Sequence, residues 1–101
     1  MIKIYRAMCE AEFNARCVKF PFSWNSKNKW FTDNYEFILS RVRDGVFNNS
    51  KFRDGAYSVI VEYTLENITA FRRVSDNELM LNVKDANKVK VVEIRVLQEP
   101  S

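Results

Sequence analysis

Histidine is absent from this chain of 101 residues. A histidine general base, a Ser-His-Asp triad and a histidine-ligated zinc site are therefore all excluded. The two cysteines, Cys9 and Cys17, are too few for a metal site made of thiolates alone, so we expect no metal ion. In a reducing compartment such cysteines are more typical of packed thiols than of a disulfide. Any chemistry in this chain must come from carboxylates, hydroxyls, arginines and aromatic rings.

Glycine and proline are scarce, with two of each in the chain. The sequence has neither of the usual glycine-rich phosphate loops, GxGxxG or GxxxxGK[ST]. It also has no flexible or low-complexity stretch that would divide it into parts. We expect residues 1–101 to form a single domain, because a chain of this length can bury enough surface to fold alone.

Long apolar runs are missing as well, since none approaches the ~20 residues that a membrane-spanning helix needs. Acidic residues near the N-terminus, Glu10 and Glu12, stand where a signal peptide would have its apolar core. These features predict a cytoplasmic protein that does not contact a membrane. The net charge of +3 is spread along the chain and favours an anionic ligand or partner only weakly.

The pattern of apolar residues predicts more strands than helices. A brief helix is expected within residues 9–17, an irregular aromatic segment at residues 18–29 and an exposed loop at residues 48–55. Strands are predicted for residues 2–8, 30–31 and 57–65 and for segments that begin at Ile68, Glu78 and Lys88. Helices in the N-terminal half and strands in the rest predict an α+β fold with a mainly antiparallel sheet.

A second helix is predicted after the aromatic pair of "NKWFTDNYEFILSRV". Asp33 and Glu36 have the spacing of a capping box, which would start the helix at Asp33. Gly45 is its expected stop. The strand at residues 57–65 is expected to place its odd-numbered side chains on one face. The buried stripe of the helix is expected to consist of Phe37, Ile38 and Val42.

Three separated segments together resemble strand motifs of the ADP-ribosyltransferase superfamily, in the order that this family uses. "IYRAM" is similar to the Tyr-Arg that opens many bacterial members. "KWFTDNYEFI" is similar to a stretch of the poly-ADP-ribose polymerase branch and of small bacterial relatives. "DNELMLNVKDANKVKVVEI" resembles the segment that closes the domain. The resemblance implies a small bacterial or phage-type member, toxin-like, that modifies a host target.

This resemblance implies that NAD is the substrate and gives five residues a role. Arg6 would bind the pyrophosphate or ribose oxygens, since a guanidinium matches them bidentately. Trp30 or Phe31 would form an aromatic wall for nicotinamide, and Thr32 would add a hydroxyl. Glu78 would be the catalytic carboxylate that stabilises positive charge on the ribose as the glycosidic bond breaks.

Each of these residues also has an ordinary structural interpretation. A strand-borne arginine is usually solvated or ion-paired at the surface, and large aromatic residues are mostly buried. Glu78 would then be a strand-end carboxylate after a turn. Arg72 and Arg73, which suggest phosphate contacts, would be charges on an exposed strand.

Two classes of function follow from the sequence. The first is a mono-ADP-ribosyltransferase that transfers ADP-ribose from NAD to a macromolecule, either protein or nucleic acid. The second is a small non-catalytic binding protein, such as an inhibitor or anti-defence factor, whose residues 20–31 and 48–55 form a protein interface. A nucleic-acid binder that uses its basic charge is a third, lesser option.

Overall fold

A computed structural model of the protein describes residues 1–14, 29–44 and 57–98. Three predictions lie wholly or largely outside these residues: the irregular aromatic segment, the helix stop at Gly45 and the loop at residues 48–55. In the described parts of the chain, no helix is long and apolar enough to cross a membrane.

The described residues form an α+β fold with a mostly antiparallel sheet, as predicted. The strands are β1 (Ile2–Cys9), β2 (Lys29–Phe31), β3 (Tyr57–Leu65), β4 (Arg72–Ser75), β5 (Glu78–Leu81) and β6 (Val91–Gln98). The helices are α1 (Glu10–Asn14), α2 (Tyr35–Arg43) and a 3₁₀-helix (Val83–Lys88). The two α-helices precede β3, in agreement with the expected clustering of helices in the N-terminal half.

The strands form two three-stranded sheets. Sheet A has the order β1-β3-β6 and sheet B the order β2-β5-β4, and every pair of neighbours is antiparallel. Just beyond β2, the backbones of Tyr5 and Thr32 exchange two hydrogen bonds of 2.7 and 2.9 Å. This bridge brings β1 alongside β2, so sheet B continues from the edge of sheet A.

Strand β3 is buried on both faces, and the sequence predicted only that its odd-numbered residues share one of them. Four of its side chains join Ile4, Phe31 and Leu79 in the main core cluster: Val59, Val61, Tyr63 and Leu65. Ile60 lies on the other face and packs with Ala7 and Ile38 of α2. The reason is that β3 is the central strand of sheet A and has α2 over its second face, which a single strand's pattern does not reveal.

The N-cap of helix α2 lies one residue later than predicted, and the helix itself begins at Tyr35. Asn34 is its N-cap: the side-chain oxygen accepts a hydrogen bond of 3.2 Å from the backbone N–H of Phe37. Asp33 instead forms an ion pair with Arg73. Of the predicted buried stripe, Ile38 is buried and Val42 packs beside it, but Phe37 lies under the guanidinium of Arg41, 4.8 Å from ring centroid to Cζ.

The C-terminal half departs from the prediction in two places. Residues 68–71 form a turn, and strand β4 starts only at Arg72. The 3₁₀-helix was not predicted; its N-cap is Asn82, whose side chain accepts a 2.9 Å hydrogen bond from the backbone N–H of Lys84. Because the 3₁₀-helix occupies Lys88, β6 begins at Val91 and not at Lys88.

The central position of β3 predicts that two valines contribute very differently to the stability of the fold. Val61 is fully buried in the main core cluster, whereas Val74 on β4 is 48% exposed. We expect Val61→Ala to lower the free energy of unfolding by about 1.5–3 kcal/mol, and Val74→Ala to change it by less than about 0.5 kcal/mol. Urea denaturation of both variants measures this. Equal losses would contradict the packing described here.

Candidate functional site

Arg6 contacts β2 from the neighbouring strand β1. Its Nη1 donates a 3.0 Å hydrogen bond to the backbone oxygen of Trp30, and its Cζ lies 5.7 Å from the centroid of the Phe31 ring. The guanidinium is therefore on the Phe31 side of β2, where the core lies. These contacts fasten β2 to sheet A, so Arg6 acts here as a structural cation.

Phe31 and Thr32 are both buried. Phe31 packs edge-on against Tyr63 and Phe71, with ring centroids 5.7 and 5.3 Å away. The Thr32 hydroxyl accepts a 3.1 Å hydrogen bond from the backbone N–H of Asn34 at the start of α2. Neither side chain is an open pocket wall: Phe31 belongs to the core, and Thr32 stabilises the turn into α2.

Trp30 faces the other way. It is 48% exposed and lies between two buried residues of β2. It pairs across the ladder with Met80 of β5, which in turn pairs with Arg72 of β4. Cross-strand partners share a face of a sheet, so these three side chains form one row. With strands about 4.8 Å apart, the backbones of Trp30 and Arg72 lie roughly 10 Å from each other.

Glu78 lies on the same face as Trp30. Burial alternates along β5, where Leu79 and Leu81 are buried and Glu78 and Met80 are partly exposed. Glu78 is two residues from Met80, so the two side chains share a face and lie roughly 7 Å apart along the strand. We call the face that carries Trp30, Arg72, Glu78 and Met80 the outer face of sheet B.

The structure thus divides four of the five predicted site residues between two faces, and the fifth, Thr32, is buried just beyond β2. All of them lie on or beside three neighbouring strands, β1, β2 and β5. Trp30 and Glu78 lie on the outer face of sheet B, whereas Arg6 and Phe31 lie on the core side. The guanidinium that shares a face with Glu78 is that of Arg72, which forms no ion pair within the described parts of the chain.

The turn before Glu78 is held in place by side chains from two other elements. Arg73 forms an ion pair with Asp33 and also donates to the backbone oxygens of Ser75 and Asp76, at 3.2 and 3.0 Å. The amide of Asn34 donates a 3.2 Å hydrogen bond to the side-chain oxygen of Asn77. The β4–β5 turn is therefore tied to the start of α2, which fixes the position of Glu78.

A buried carboxylate on β3 was missed by the sequence prediction. The side chain of Glu62 is only 7% exposed and lies 3.8 Å from the ammonium group of Lys3. Its cross-strand partner on β1 is Tyr5. Burial, together with Glu62 and the nearby Tyr35, raises the pKa of Tyr5 above 10.0. The sequence does contain a signal for this site: Glu62 is the single acidic residue inside the apolar run "YSVIVEYTL". A glutamate is almost never buried without a partner, so its place in a buried strand indicates partners on a neighbouring strand.

Comparison of this chain with protein-family models, with curated proteins and with solved structures gave no match. Within the described ranges, no three histidine, cysteine or acidic side chains are grouped so that they could hold a metal ion. Function can therefore be inferred only from the side chains on the two faces of the sheet.

The contact between Tyr5 and Glu62 predicts a loss of stability at alkaline pH. The unfolded chain releases the Tyr5 proton at a lower pH than the folded chain does, so the stabilisation is complete below pH 10.0 and is lost as the pH rises through the folded-state pKa. We expect Tyr5→Phe to remove this pH dependence, because a phenylalanine has no proton to release. The difference in the free energy of unfolding between wild type and variant should then narrow above pH 10.0. Denaturation curves of both proteins at several pH values measure this difference. A difference that does not change with pH would contradict a raised pKa of Tyr5.

Proposed function

We propose that this protein is a mono-ADP-ribosyltransferase-like enzyme of the ADP-ribosyltransferase superfamily that uses NAD as its substrate on the outer face of sheet B. The observation that carries the proposal is the presence of an aromatic ring, a carboxylate and a guanidinium on that one face: Trp30, Glu78 and Arg72. The family resemblance calls for three such groups: an aromatic surface for nicotinamide, a carboxylate for the ribose and a guanidinium for the pyrophosphate. They come from three adjacent strands, and β2 is distant in sequence from the hairpin that β4 and β5 form.

The reaction breaks the bond between nicotinamide and C1′ of the ribose. The bonding electron pair leaves with the nicotinamide nitrogen, and positive charge develops on the ribose. The Glu78 carboxylate stabilises that charge and accepts a hydrogen bond from the ribose 2′-hydroxyl. A nucleophile of the acceptor then forms a new bond to C1′ and loses its proton. The acceptor is a macromolecule, either protein or nucleic acid.

Trp30 and Arg72 position the two ends of the nucleotide in this proposal. The half-exposed indole of Trp30 offers a flat apolar surface for the nicotinamide ring. Arg72 has five N–H donors in a planar fork that matches the pyrophosphate oxygens. Arg72 thereby takes the phosphate-binding role that the family resemblance gave to Arg6.

Arg6 has a different role in this arrangement. Its hydrogen bond to the Trp30 carbonyl and its contact with Phe31 hold β2 against β1. Arg6 therefore positions the strand that carries Trp30 without touching the nucleotide. Arg73 is likewise a positioning residue, because it holds the turn that precedes Glu78.

The role of Glu78 predicts a selective loss of catalysis. Glu78→Gln removes the negative charge and keeps the shape, so we expect nicotinamide release to fall by ~10²-fold or more while NAD still binds. Release of nicotinamide from NAD in the presence of cell lysate, and transfer of labelled ADP-ribose to macromolecules, are the measurements. Glu66→Gln is the matched control, since Glu66 is an exposed carboxylate just after β3, and it should leave the rate unchanged.

Three results would count against this function. If the wild-type protein releases no nicotinamide and calorimetry detects no binding of NAD, the protein is not this enzyme. A Glu78→Gln variant as active as wild type would remove Glu78 from the reaction. If Glu62→Gln lost activity and Glu78→Gln kept it, the catalytic carboxylate would be the buried Glu62 beside Tyr5.

The position of NAD predicts a change in tryptophan fluorescence. Trp24→Phe leaves Trp30 as the only tryptophan of the chain. Nicotinamide stacked on an indole quenches its emission, so we expect NAD to quench this variant in a saturable manner. Adding Arg72→Gln should weaken the apparent affinity by about tenfold or more, because a charge-assisted bidentate contact is lost. Arg43→Gln, on the exposed end of α2, is the matched control and should leave the affinity unchanged.

A non-catalytic binding protein is the second candidate, and the same row of side chains favours it. Trp30, Met80 and Arg72 are residue types enriched in the cores of protein interfaces. The two functions differ in their response to mutation. A binding protein would lose its partner with Trp30→Ala and keep it with Glu78→Gln, and it would release no nicotinamide.

A further inference from the structure

Strand β6 forms one edge of sheet A. It pairs with β3 along one side, and no strand of residues 1–14, 29–44 or 57–98 pairs with its other side. An edge strand presents a row of backbone N–H and C=O groups that can pair with another strand. Two large apolar side chains are exposed on it, Val92 at 49% and Ile94 at 36%. This combination is typical of an edge that another strand covers.

The sequence of β6 is complementary to itself when read in the opposite direction. Residues 91–97 read Val-Val-Glu-Ile-Arg-Val-Leu, with Ile94 at the centre. Glu93 and Arg95 flank that centre with opposite charges, and two apolar residues follow on each side. In an antiparallel pair centred on Ile94, an acid would therefore face a base at both flanking positions.

We infer that the partner of this edge is a second copy of the same chain, paired antiparallel through β6 about a two-fold axis at Ile94. Glu93 of each copy lies opposite Arg95 of the other, which gives two identical ion pairs. Ile94 faces its own symmetry mate, and Val92 faces Val96. Such an interface uses the same surface on both subunits, as a two-fold dimer requires. This inference does not depend on the proposed enzymatic function.

Charge also selects this register over its neighbours. A shift that centres the pair on Glu93 places two carboxylates opposite each other, and one that centres it on Arg95 places two guanidinium groups opposite each other. Like charges in directly opposed positions destabilise a sheet. Centring the pair between two residues would require side chains from opposite faces to meet, which the period of two in a strand forbids. The pair centred on Ile94 is the one that brings Glu93 and Arg95 together.

Two bulges limit the length of the interface. The register with β3 skips Val92 and Leu97, so the regular part of β6 is Glu93–Val96. Bulges at an edge bend the strand and restrict pairing with other chains. The three central pairs of the proposed dimer fall inside the regular part. The dimer is consequently a small interface, and we expect it to dissociate on dilution and to weaken as salt screens the ion pairs.

Charge reversal provides the test, since Glu93 and Arg95 are both exposed. Sedimentation equilibrium of the full chain should show a monomer–dimer equilibrium for wild type. Glu93→Arg and Arg95→Glu should each weaken the dimer by about tenfold, because each turns both ion pairs into repulsive pairs. Glu66→Arg and Arg43→Glu, which reverse exposed charges outside β6, are the matched controls and should leave the equilibrium unchanged.

Two restoration experiments make the test specific. The double variant Glu93→Arg/Arg95→Glu restores opposite charges in every pair and should dimerise like wild type. An equimolar mixture of the two single variants should form a mixed dimer, because one copy then carries two bases and the other two acids. Circular dichroism of each variant checks that it is folded.

Two outcomes would overturn the inference. One is a wild-type protein that stays monomeric up to millimolar concentration at low salt. The other is a dimer that none of the charge reversals affects, which would show that the copies meet through another surface.

Discussion

Two backbone hydrogen bonds join the two sheets of this domain. They connect Tyr5 of β1 with Thr32 at the end of β2 and arrange the strands in the order β4-β5-β2-β1-β3-β6. The arrangement of side chains depends on this bridge, because it aligns β2 with sheet A. Arg6, the next residue along β1, can then reach the carbonyl of Trp30 and the ring of Phe31.

The same bridge determines which side chains can act together. Phe31 and Leu79 complete the core on one face, and Trp30 and Glu78 are left on the other. A strand exposes alternate residues, so neighbours in sequence such as Trp30 and Phe31 separate into a surface residue and a core residue. The turn held by Arg73, Asp33 and Asn34 then fixes Glu78 at the start of β5. The candidate site is therefore a consequence of strand order.

Several elements could be predicted because their signals are local. Strand β1 and strand β3 follow from apolar residues within a few positions of each other, and so does the existence of α2. The cap of α2 was displaced by one residue because Asp33 has a competing partner, Arg73, from a strand 40 residues away. The 3₁₀-helix escaped prediction because short helices of this kind lack a strong apolar period. The burial of Glu62 escaped prediction because its partners, Lys3 and Tyr5, come from another strand.

By itself, the sequence determined the class of fold, the place of strands β1 and β3 and the chemical groups available. It excluded histidine chemistry outright and supplied the carboxylates, arginines and aromatic rings from which a site could be built. Only the tertiary structure decided which of them share a face: Arg72, and not Arg6, lies on the side of Glu78. The physical reason is that alternation along a strand is encoded locally, whereas the face that becomes the core depends on which strands become neighbours.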